Sequence, residues 1–233
     1  METALPVLCI PGLGCSPRLY AEQVPLLWSR GPVTIAQHTA SDRMDALASA
    51  ILAEAPPRFA LVGLSMGGYL GFEILRQAPE RVARLALLDT SARPDTPEQS
   101  ASRRAQIELA GSRPMRELAD ALFPRLVHRS RHGDERLRAL FWQMAEETGA
   151  AAYVRQQTAI MHRRDSRPLL ASIRCPTLVL VGDGDELTPP AIAEEIAAAI
   201  PRARLVVVPE CGHASTLERP AEVGEALMQW LAA

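Results

Sequence analysis

The sequence of 233 residues predicts an α/β fold in which a predominantly parallel central sheet of about six or more strands is flanked by helices. First, short apolar runs alternate with segments of helical periodicity, as in a sheet covered on both faces. Second, a serine lies between two glycines, in Gly63-Leu64-Ser65-Met66-Gly67, directly after one apolar run and before a helix-like segment. Third, residues 91–173 have helical patterns and no strand-like run, which indicates a helical insertion.

Six apolar runs are predicted to be strands, and four segments between or after them are predicted to be helices. The predicted strands are residues 5–10, 33–36, 59–63, 85–88, 177–181 and 205–208. The predicted core helices are residues 43–55, 66–77, 190–200 and 220–231. Pro11-Gly12 ends the first strand and Pro56-Pro57 follows the first helix, since these residues interrupt regular structure.

The insertion, residues 91–173, is expected to form a helical cap, with residues 1–90 and 174–233 as the core. It opens with Thr96-Pro97-Glu98-Gln99, which is a capping-box signature with proline at the first helical position. Further helices are predicted near residues 116–126, 135–148 and 150–163. Because ligands bind at the carboxyl edge of such sheets, the cap is expected to cover that edge. Its candidate substrate contacts are Leu122, Phe123, Phe141 and Met144, for which packing in a core is the alternative.

Composition excludes several function classes. A net charge of −2 gives no global electrostatic basis for binding nucleic acid or an anionic membrane. All 25 basic residues are arginine, which excludes lysine Schiff bases, lysine-bound pyridoxal phosphate and P-loop chemistry. The four cysteines lack CxxC spacing and are expected to be free thiols. No metal or organic cofactor is expected. The absence of a long apolar span and of a signal-peptide pattern leads us to expect a cytoplasmic location, and the oligomeric state is not predicted.

Ser65 is the candidate nucleophile because of the turn on which it lies. Small residues two positions before and after it let a sharp strand-to-helix turn close, so that the hydroxyl stands clear of the sheet above a helix N-terminus. The amide of Met66 begins that helix and is one candidate donor to an oxyanion. The second candidate donor is the amide of Leu13, in the glycine-rich loop after the first strand.

A serine hydroxyl needs a base, which is usually a histidine oriented by a carboxylate. His213 follows the last predicted strand and is the candidate base, and His38 is the other histidine near a strand end. His128 and His132 have the i, i+4 spacing of metal ligands, but the arginines around them would repel a cation. These two and His162, in a further arginine-rich stretch, are expected on the surface.

Three aspartates are candidates for the carboxylate. Asp185 is preferred, and its neighbour Asp183 lies on the same loop after the fifth predicted strand. Asp89 ends the fourth predicted strand, where a turn or helix-cap role is the preferred interpretation. The order Ser65, Asp185, His213 is the one expected on this fold, and each residue leaves a different strand at the same edge of the sheet.

Together these residues resemble the α/β-hydrolase superfamily over the whole length of the chain. The stretch from Gly63 to Gly67 resembles its nucleophile elbow, and Gly182-Asp183-Gly184-Asp185 with Pro189 resembles its acid loop. Gly212-His213, followed by Glu218 and Pro220, resembles its histidine loop. The resemblance favours Asp185 over Asp183 and is nearest to the small capped branch of carboxylesterases, lactonases, cofactor-free haloperoxidase-like enzymes and carbon–carbon bond hydrolases.

One position departs from the family pattern, and another separates this chain from two classes of related enzyme. The family usually has His-Gly in the oxyanion loop, where this chain has Pro11-Gly12. The backbone donor at Leu13 survives that change, although the orientation of the loop is affected. Ser65 argues against haloalkane dehalogenases and epoxide hydrolases, which resemble this fold and have an aspartate at the nucleophile position.

The predicted activity is hydrolysis of a small carboxylic ester or lactone through an acyl-enzyme intermediate. Ser65 attacks the carbonyl carbon, His213 takes the serine proton, Asp185 orients the imidazole, and the amides of Leu13 and Met66 hold the oxyanion. One alternative is a perhydrolase or haloperoxidase-like enzyme, or a carbon–carbon bond hydrolase, on the same triad. Another is a ligand receptor or signalling partner with slow turnover, because a fold alone does not determine function.

Overall fold

A computed structural model describes residues 4–233, which form one sheet of six parallel strands with helices on both faces. The strands are β1 (Val7–Ile10), β2 (Val33–Ile35), β3 (Phe59–Leu64), β4 (Val82–Leu88), β5 (Thr177–Gly182) and β6 (Ala203–Val208). They pair in the order β2-β1-β3-β4-β5-β6. The predicted fold class is therefore confirmed, and each strand overlaps its predicted run. Residues 1–3, with which the predicted core begins, lie outside the described residues.

Eleven α-helices connect and cover these strands in the described chain. They are α1 (Val24–Trp28), α2 (Met44–Glu54), α3 (Met66–Gln77), α4 (Pro97–Ser112), α5 (Met115–Leu126), α6 (Glu135–Thr148), α7 (Ala150–Met161), α8 (Arg167–Leu170), α9 (Pro190–Ala199), α10 (Ser215–Glu218) and α11 (Pro220–Ala232). Short 3₁₀ turns occupy Pro17–Tyr20, Pro79–Arg81 and Arg129–Arg131. Among residues 4–233, no helix has the length and apolar character needed to cross a membrane.

The sheet is buried on both faces, which explains its uninterrupted apolar strands. In β1, Leu8 and Ile10 join the core cluster that contains residues of α2, α3 and α9, while Val7 and Cys9 join the cluster that contains residues of α11. Successive side chains of a strand point to opposite faces, so both positions must be apolar when helices cover both sides. The inner strands β1, β3 and β5 are completely buried, whereas the edge strands β2 and β6 are partly exposed.

The described chain between β4 and β5 contains the five helices α4 to α8 and no strand. The capping box forms at the start of α4, where the Thr96 hydroxyl accepts from the Gln99 amide and the Gln99 side chain accepts from the Thr96 amide. Helix α6 has its predicted bounds, and α5 and α7 differ from theirs by one or two residues. Helix α8 was not predicted because its four residues are too few to show a period. The division into core and cap domains stays a prediction.

Candidate active site

Ser65 lies in the tight turn between β3 and α3 and has a φ of 53°, in the left-handed region that side chains rarely adopt. Close backbone approach requires glycine on both sides of it. A Cβ on Gly63 would lie 2.4 Å from the Gly67 carbonyl oxygen, and one on Gly67 would lie 2.0 Å from the Ile10 carbonyl oxygen. The Ser65 amide donates to the Leu88 carbonyl at 2.9 Å, which ties the turn to β4. This geometry lifts the hydroxyl above the carboxyl edge of the sheet.

The imidazole of His213 lies between Ser65 and Asp185. Its Nε2 is 2.9 Å from Ser65 Oγ, and its Nδ1 is 2.8 Å from Asp185 Oδ2. The Asp185 carboxylate also accepts from the amides of Leu187 and Thr188, at 2.8 and 2.9 Å, and from the Thr188 hydroxyl at 2.7 Å. The three residues predicted to be catalytic therefore form one continuous hydrogen-bonded chain from carboxylate to hydroxyl.

The charge of Asp185 favours His213 as the group that accepts the Ser65 proton. Burial acts to raise the pKa of Asp185, but His213 and the hydrogen bonds from Thr188 hold that pKa below its ordinary value. Burial likewise acts to lower the pKa of His213, yet the Asp185 carboxylate raises it above its ordinary value. Since a carboxylate only accepts, Nδ1 carries the imidazole proton and Nε2 is left to accept one from Ser65.

The other two candidate aspartates make different contacts. Asp183 is exposed, and its carboxylate accepts from the Cys211 amide at 3.1 Å. Asp89 is fully buried and accepts from the Gly182 amide, at 3.1 Å, and from the Ser215 hydroxyl. Burial, together with the neighbouring carboxylate charge, raises the pKa of Asp89 to about 8. Asp89 thus joins the end of β5 to α10, whereas the sequence favoured a turn or helix-cap role for it.

The remaining histidines bond to other partners. His38 is buried, and its Nε2 lies 3.1 Å from the Gly12 carbonyl oxygen. His132 and His162 are exposed and His128 is half-buried, and their rings contact the Pro124 carbonyl, the Thr158 carbonyl and the Ser130 hydroxyl, respectively. Within residues 4–233, no group of three or more histidine, cysteine, aspartate or glutamate side chains could hold a metal ion.

The candidate oxyanion donors belong to the two backbone segments that adjoin Ser65. Met66 is the first residue of α3, where an amide has no partner within the helix. Leu13 lies in the loop after β1, and that loop is close to the nucleophile: a Cβ on Gly12 would lie 3.6 Å from Ser65 Cβ. Within residues 4–233, neither amide donates a hydrogen bond to another protein group. Neither amide is therefore occupied by a described protein acceptor, and the oxyanion role of both stays a prediction.

A cavity of about 560 Å³ contacts Ser65 and His213. Residues of the sheet edge and of helices α4 to α7 line it together. Leu122 and Phe141, two of the predicted substrate contacts, are among the lining residues. Cys15 also lines the cavity, and burial raises the pKa of its thiol to about 12, so the thiol stays protonated at neutral pH. The cavity has the size of a small-molecule site.

Phe123 and Met144 do not line the cavity, which corrects the prediction made for them. Both are completely buried in the cluster of apolar residues that includes Leu64 and Val127. The Phe123 ring packs edge-on against Phe141, with ring centroids 5.6 Å apart. Helical periodicity identifies the apolar stripe of a helix, but it does not separate the positions that face a cavity from those that face a neighbouring helix.

A polar part of the cavity wall was not predicted. The Tyr153 hydroxyl donates to the Gln106 side chain at 2.8 Å, and Arg103 pairs with Asp95, which also binds Arg163. All of these except Asp95 line the cavity. Gln106, Arg103 and Tyr153 lie on α4 and α7, while Asp95 precedes α4 and Arg163 follows α7, and each resembles a surface residue in the sequence. Only the packing of α4 against α7 brings them together, so the sequence carries no signal for this wall.

Comparison with known proteins shows the family to which the chain belongs. A family model described as "Alpha/beta hydrolase family" matches residues 7–226. A pimeloyl-[acyl-carrier protein] methyl ester esterase of Aromatoleum aromaticum is 32% identical over 188 residues, which cover 76% of this chain and 75% of that protein. A thermophilic esterase from Thermogutta terrifontis, solved with malate bound, has a TM-score of 0.88 at 32% identity and covers 99% of this chain and 90% of its own. The enol-lactonase from Burkholderia xenovorans LB400 has a TM-score of 0.88 at 26% identity, over 100% of this chain and 93% of its own. The chain therefore belongs to the α/β hydrolase family and is a hydrolase.

Proposed function

We propose that this hydrolase cleaves a small carboxylic ester or lactone through a covalent acyl-enzyme. The observation that carries the proposal is the hydrogen-bonded chain from Asp185 through His213 to Ser65, with distances of 2.8 and 2.9 Å. In this mechanism His213 Nε2 takes the Ser65 proton as Oγ attacks the carbonyl carbon. The amides of Leu13 and Met66 then stabilise the oxyanion of the tetrahedral intermediate.

The second half of the reaction uses the same groups. The imidazolium of His213 donates its proton to the leaving alcohol, and the acyl group remains on Ser65. A water molecule then loses its proton to His213 and attacks the acyl carbon, which releases the carboxylic acid and restores the serine. Asp185 keeps the imidazole in the required tautomer and balances its charge while it is protonated. No step requires a metal or an organic cofactor.

The cavity supports a small substrate. Its volume of about 560 Å³ accommodates a short or medium acyl chain, and Leu122 and Phe141 give it an apolar side. The solved neighbours named as an esterase and an enol-lactonase support this substrate class. We further propose that residues 91–173 act as a cap that encloses the substrate above the core formed by 1–90 and 174–233. The expected cytoplasmic location stays a prediction.

The test is Ser65-dependent hydrolysis of a p-nitrophenyl ester series from acetate to decanoate, with an acyl-homoserine lactone assayed alongside. Ser65→Ala is compared with the wild type, and Ser102→Ala serves as a matched control. Ser102 also lines the cavity, but its hydroxyl contacts the Gln106 side chain rather than His213. We expect Ser65→Ala to lose at least about 10⁴-fold in kcat and Ser102→Ala to keep most of its activity.

Ester turnover that survives in Ser65→Ala would contradict the proposal. Absence of turnover on every ester and lactone in the wild type would also count against it. The same preparations would then be tested for peroxide-dependent oxidation and for cleavage of a β-diketone, the alternatives that the same three residues allow. The acyl length with the highest kcat/KM measures the depth of the cavity.

A further inference from the structure

The loop after β1, residues 11–16, is held in place by a buried histidine from a different loop. His38 follows β2, is 2% exposed, and has its Nε2 3.1 Å from the Gly12 carbonyl oxygen. A carbonyl oxygen only accepts hydrogen bonds, so this nitrogen must carry the proton and donate. Burial lowers the pKa of His38 to about 4, which keeps the ring neutral near neutral pH.

A second buried side chain, Gln156 of α7, fixes the same loop from the helical segment. Its Oε1 accepts from the Gly14 amide at 3.0 Å, and its Nε2 donates to the His38 carbonyl at 3.3 Å. The neighbouring Arg155 donates from Nε to the Thr39 carbonyl at 2.8 Å. Gln156 is completely buried, so its amide bonds in a single arrangement that satisfies both loops. Helix α7 therefore connects the loop after β1 to the loop that carries His38.

The hydrogen bond from His38 to the Gly12 carbonyl also determines the direction of the Leu13 N–H. The Gly12 carbonyl and the Leu13 amide belong to one planar trans peptide, so the two groups point in opposite directions. Fixing the carbonyl toward His38 thus fixes the N–H on the opposite side of that peptide plane. Donation to the carbonyl also polarises the peptide and strengthens its N–H as a donor. The Cys15 amide donates to the same carbonyl at 3.2 Å, which adds a second restraint.

We propose that His38, supported by Gln156, is the positioning residue of the oxyanion hole and holds the Leu13 amide toward the substrate carbonyl. This inference rests on the proposed function, in which Leu13 supplies one oxyanion donor. The imidazole of His38 reaches this loop from the chain that follows β2. His38 contacts neither the substrate nor Ser65 in this role, and it acts through the Gly12–Leu13 peptide.

The test compares His38→Leu, which removes the donor, with His38→Gln, whose terminal amide reaches about as far as Nε2. His162→Leu is the matched control, because His162 is exposed and its ring bonds to the Thr158 carbonyl, which is remote from the loop after β1 in the sequence. Loss of a complete oxyanion donor costs about 10²–10³-fold in kcat. For a donor that is present but poorly oriented, we expect His38→Leu to lose about 10–10²-fold in kcat, with KM changed less than about threefold.

Two further readouts separate positioning from loss of folding. His38→Gln should recover at least about fivefold of the kcat lost in His38→Leu, and His162→Leu should match the wild type. Affinity for a trifluoromethyl ketone, which forms an oxyanion on Ser65, should fall in parallel with kcat/KM across the series. If His38→Leu does not fold, His38→Gln is compared with His38→Asn, whose shorter side chain should be several-fold less active.

Wild-type kcat in folded His38→Leu would overturn the inference, and so would a loss that lies entirely in KM. Equal activity of His38→Gln and His38→Asn would overturn it in the case where His38→Leu does not fold. Failure of the proposed function gives a different result, since turnover would then persist in Ser65→Ala or be absent from the wild type. Turnover that depends on Ser65 but not on His38 leaves the proposed function standing and removes only the positioning role.

Discussion

Replacing Asp185 with asparagine should reverse the tautomer of His213 without changing the shape of the site. The Asp185 oxygen Oδ1 accepts from two backbone amides, those of Leu187 and Thr188, so the single oxygen of asparagine must take that place. Its NH₂ group then replaces Oδ2, which lies 2.8 Å from His213 Nδ1. An NH₂ group donates, so Nδ1 must accept and the neutral imidazole must carry its proton on Nε2, facing Ser65.

The reversed tautomer of His213 determines how much kcat Asp185→Asn should lose. A histidine whose Nε2 already carries a proton cannot take the Ser65 proton, although the packing and the oxyanion donors are unchanged. A reversal of this kind costs about 10⁴-fold in kcat, which corresponds to about 5.5 kcal/mol of transition-state stabilisation. Because substrate binding does not use the imidazole proton, KM should stay within about threefold of the wild-type value.

The assay measures kcat and KM on the best p-nitrophenyl ester for Asp185→Asn, Asp183→Asn and the wild type. Asp183 is the matched control, since it lies on the same loop, is exposed and accepts from the Cys211 amide. Surface substitutions of this kind change free energies by about 0.5 kcal/mol, so Asp183→Asn should keep kcat within about threefold. If Asp185→Asn kept more than about a tenth of the wild-type kcat, or if Asp183→Asn lost the more activity, the assignment of the carboxylate would be refuted.

Three further results are expected. Gly67→Ala should destabilise the protein by more than about 3 kcal/mol or prevent folding, because its Cβ would lie 2.0 Å from the Ile10 carbonyl oxygen. Gly111→Ala, near the C-terminal end of α4 where a Cβ would meet no other atom, should instead stabilise by about 0.4–1 kcal/mol, and urea unfolding measures both. Leu122→Ala should shift the preferred acyl chain to greater length, whereas Met144→Ala, buried outside the cavity, should cost about 2–5 kcal/mol of stability and leave that preference unchanged. The Asp89 carboxyl has a pKa of about 8 in the folded state and an ordinary pKa of about 4 in the unfolded state. The stability that the protonated carboxyl contributes therefore falls as the pH rises from about 4 to about 8. The free energy of unfolding of the wild type relative to Asp89→Asn should therefore drop by at least about 2 kcal/mol from pH 5 to pH 8.5, and a constant difference would contradict the assignment of a buried neutral carboxyl.

The regular core could be predicted from the sequence because its signals are local. The inner strands β1, β3 and β5 are buried on both faces and show as apolar runs, and proline or glycine marks the ends of β1, β5 and β6. Helix α6 has its predicted bounds because Gly133 and Gly149 bracket it, and Gly149 has a φ of 73° that ends a helix. The helices missed, α1, α8 and α10, have four or five residues each, which are too few to show periodicity.

The candidate site contains residues that local patterns predict and residues that only tertiary packing brings together. Ser65, Asp185 and His213 each follow a strand, and the shared edge of a parallel sheet brings such positions together, so motif and strand order predict that these three side chains meet. The cavity wall depends on how α4, α5, α6 and α7 pack over that edge, which no local pattern specifies. Leu122 faces the cavity and Phe123, one residue later, faces the core, and both positions look alike in the sequence. The buried hydrogen bond from His38 to the Gly12 carbonyl was likewise not predicted, because that carbonyl belongs to another loop.

Positive φ angles at non-glycine residues occur near the carboxyl edge of the sheet. Three non-glycine residues between 4 and 233 have a positive φ, namely Ser65, Asp89 and Glu210, and they follow β3, β4 and β6. A conformation of this kind costs on the order of 1–3 kcal/mol and persists only where the surroundings impose it. Here the surroundings are the sheet itself: the Ser65 amide donates to the Leu88 carbonyl and the Asp89 amide to the Leu180 carbonyl, both at 2.9 Å. The ladder of β3, β4 and β5 thus continues one residue beyond the strands and holds both side chains in place, so a variant that loosens these strands should lose the geometry at Ser65 before it loses the fold.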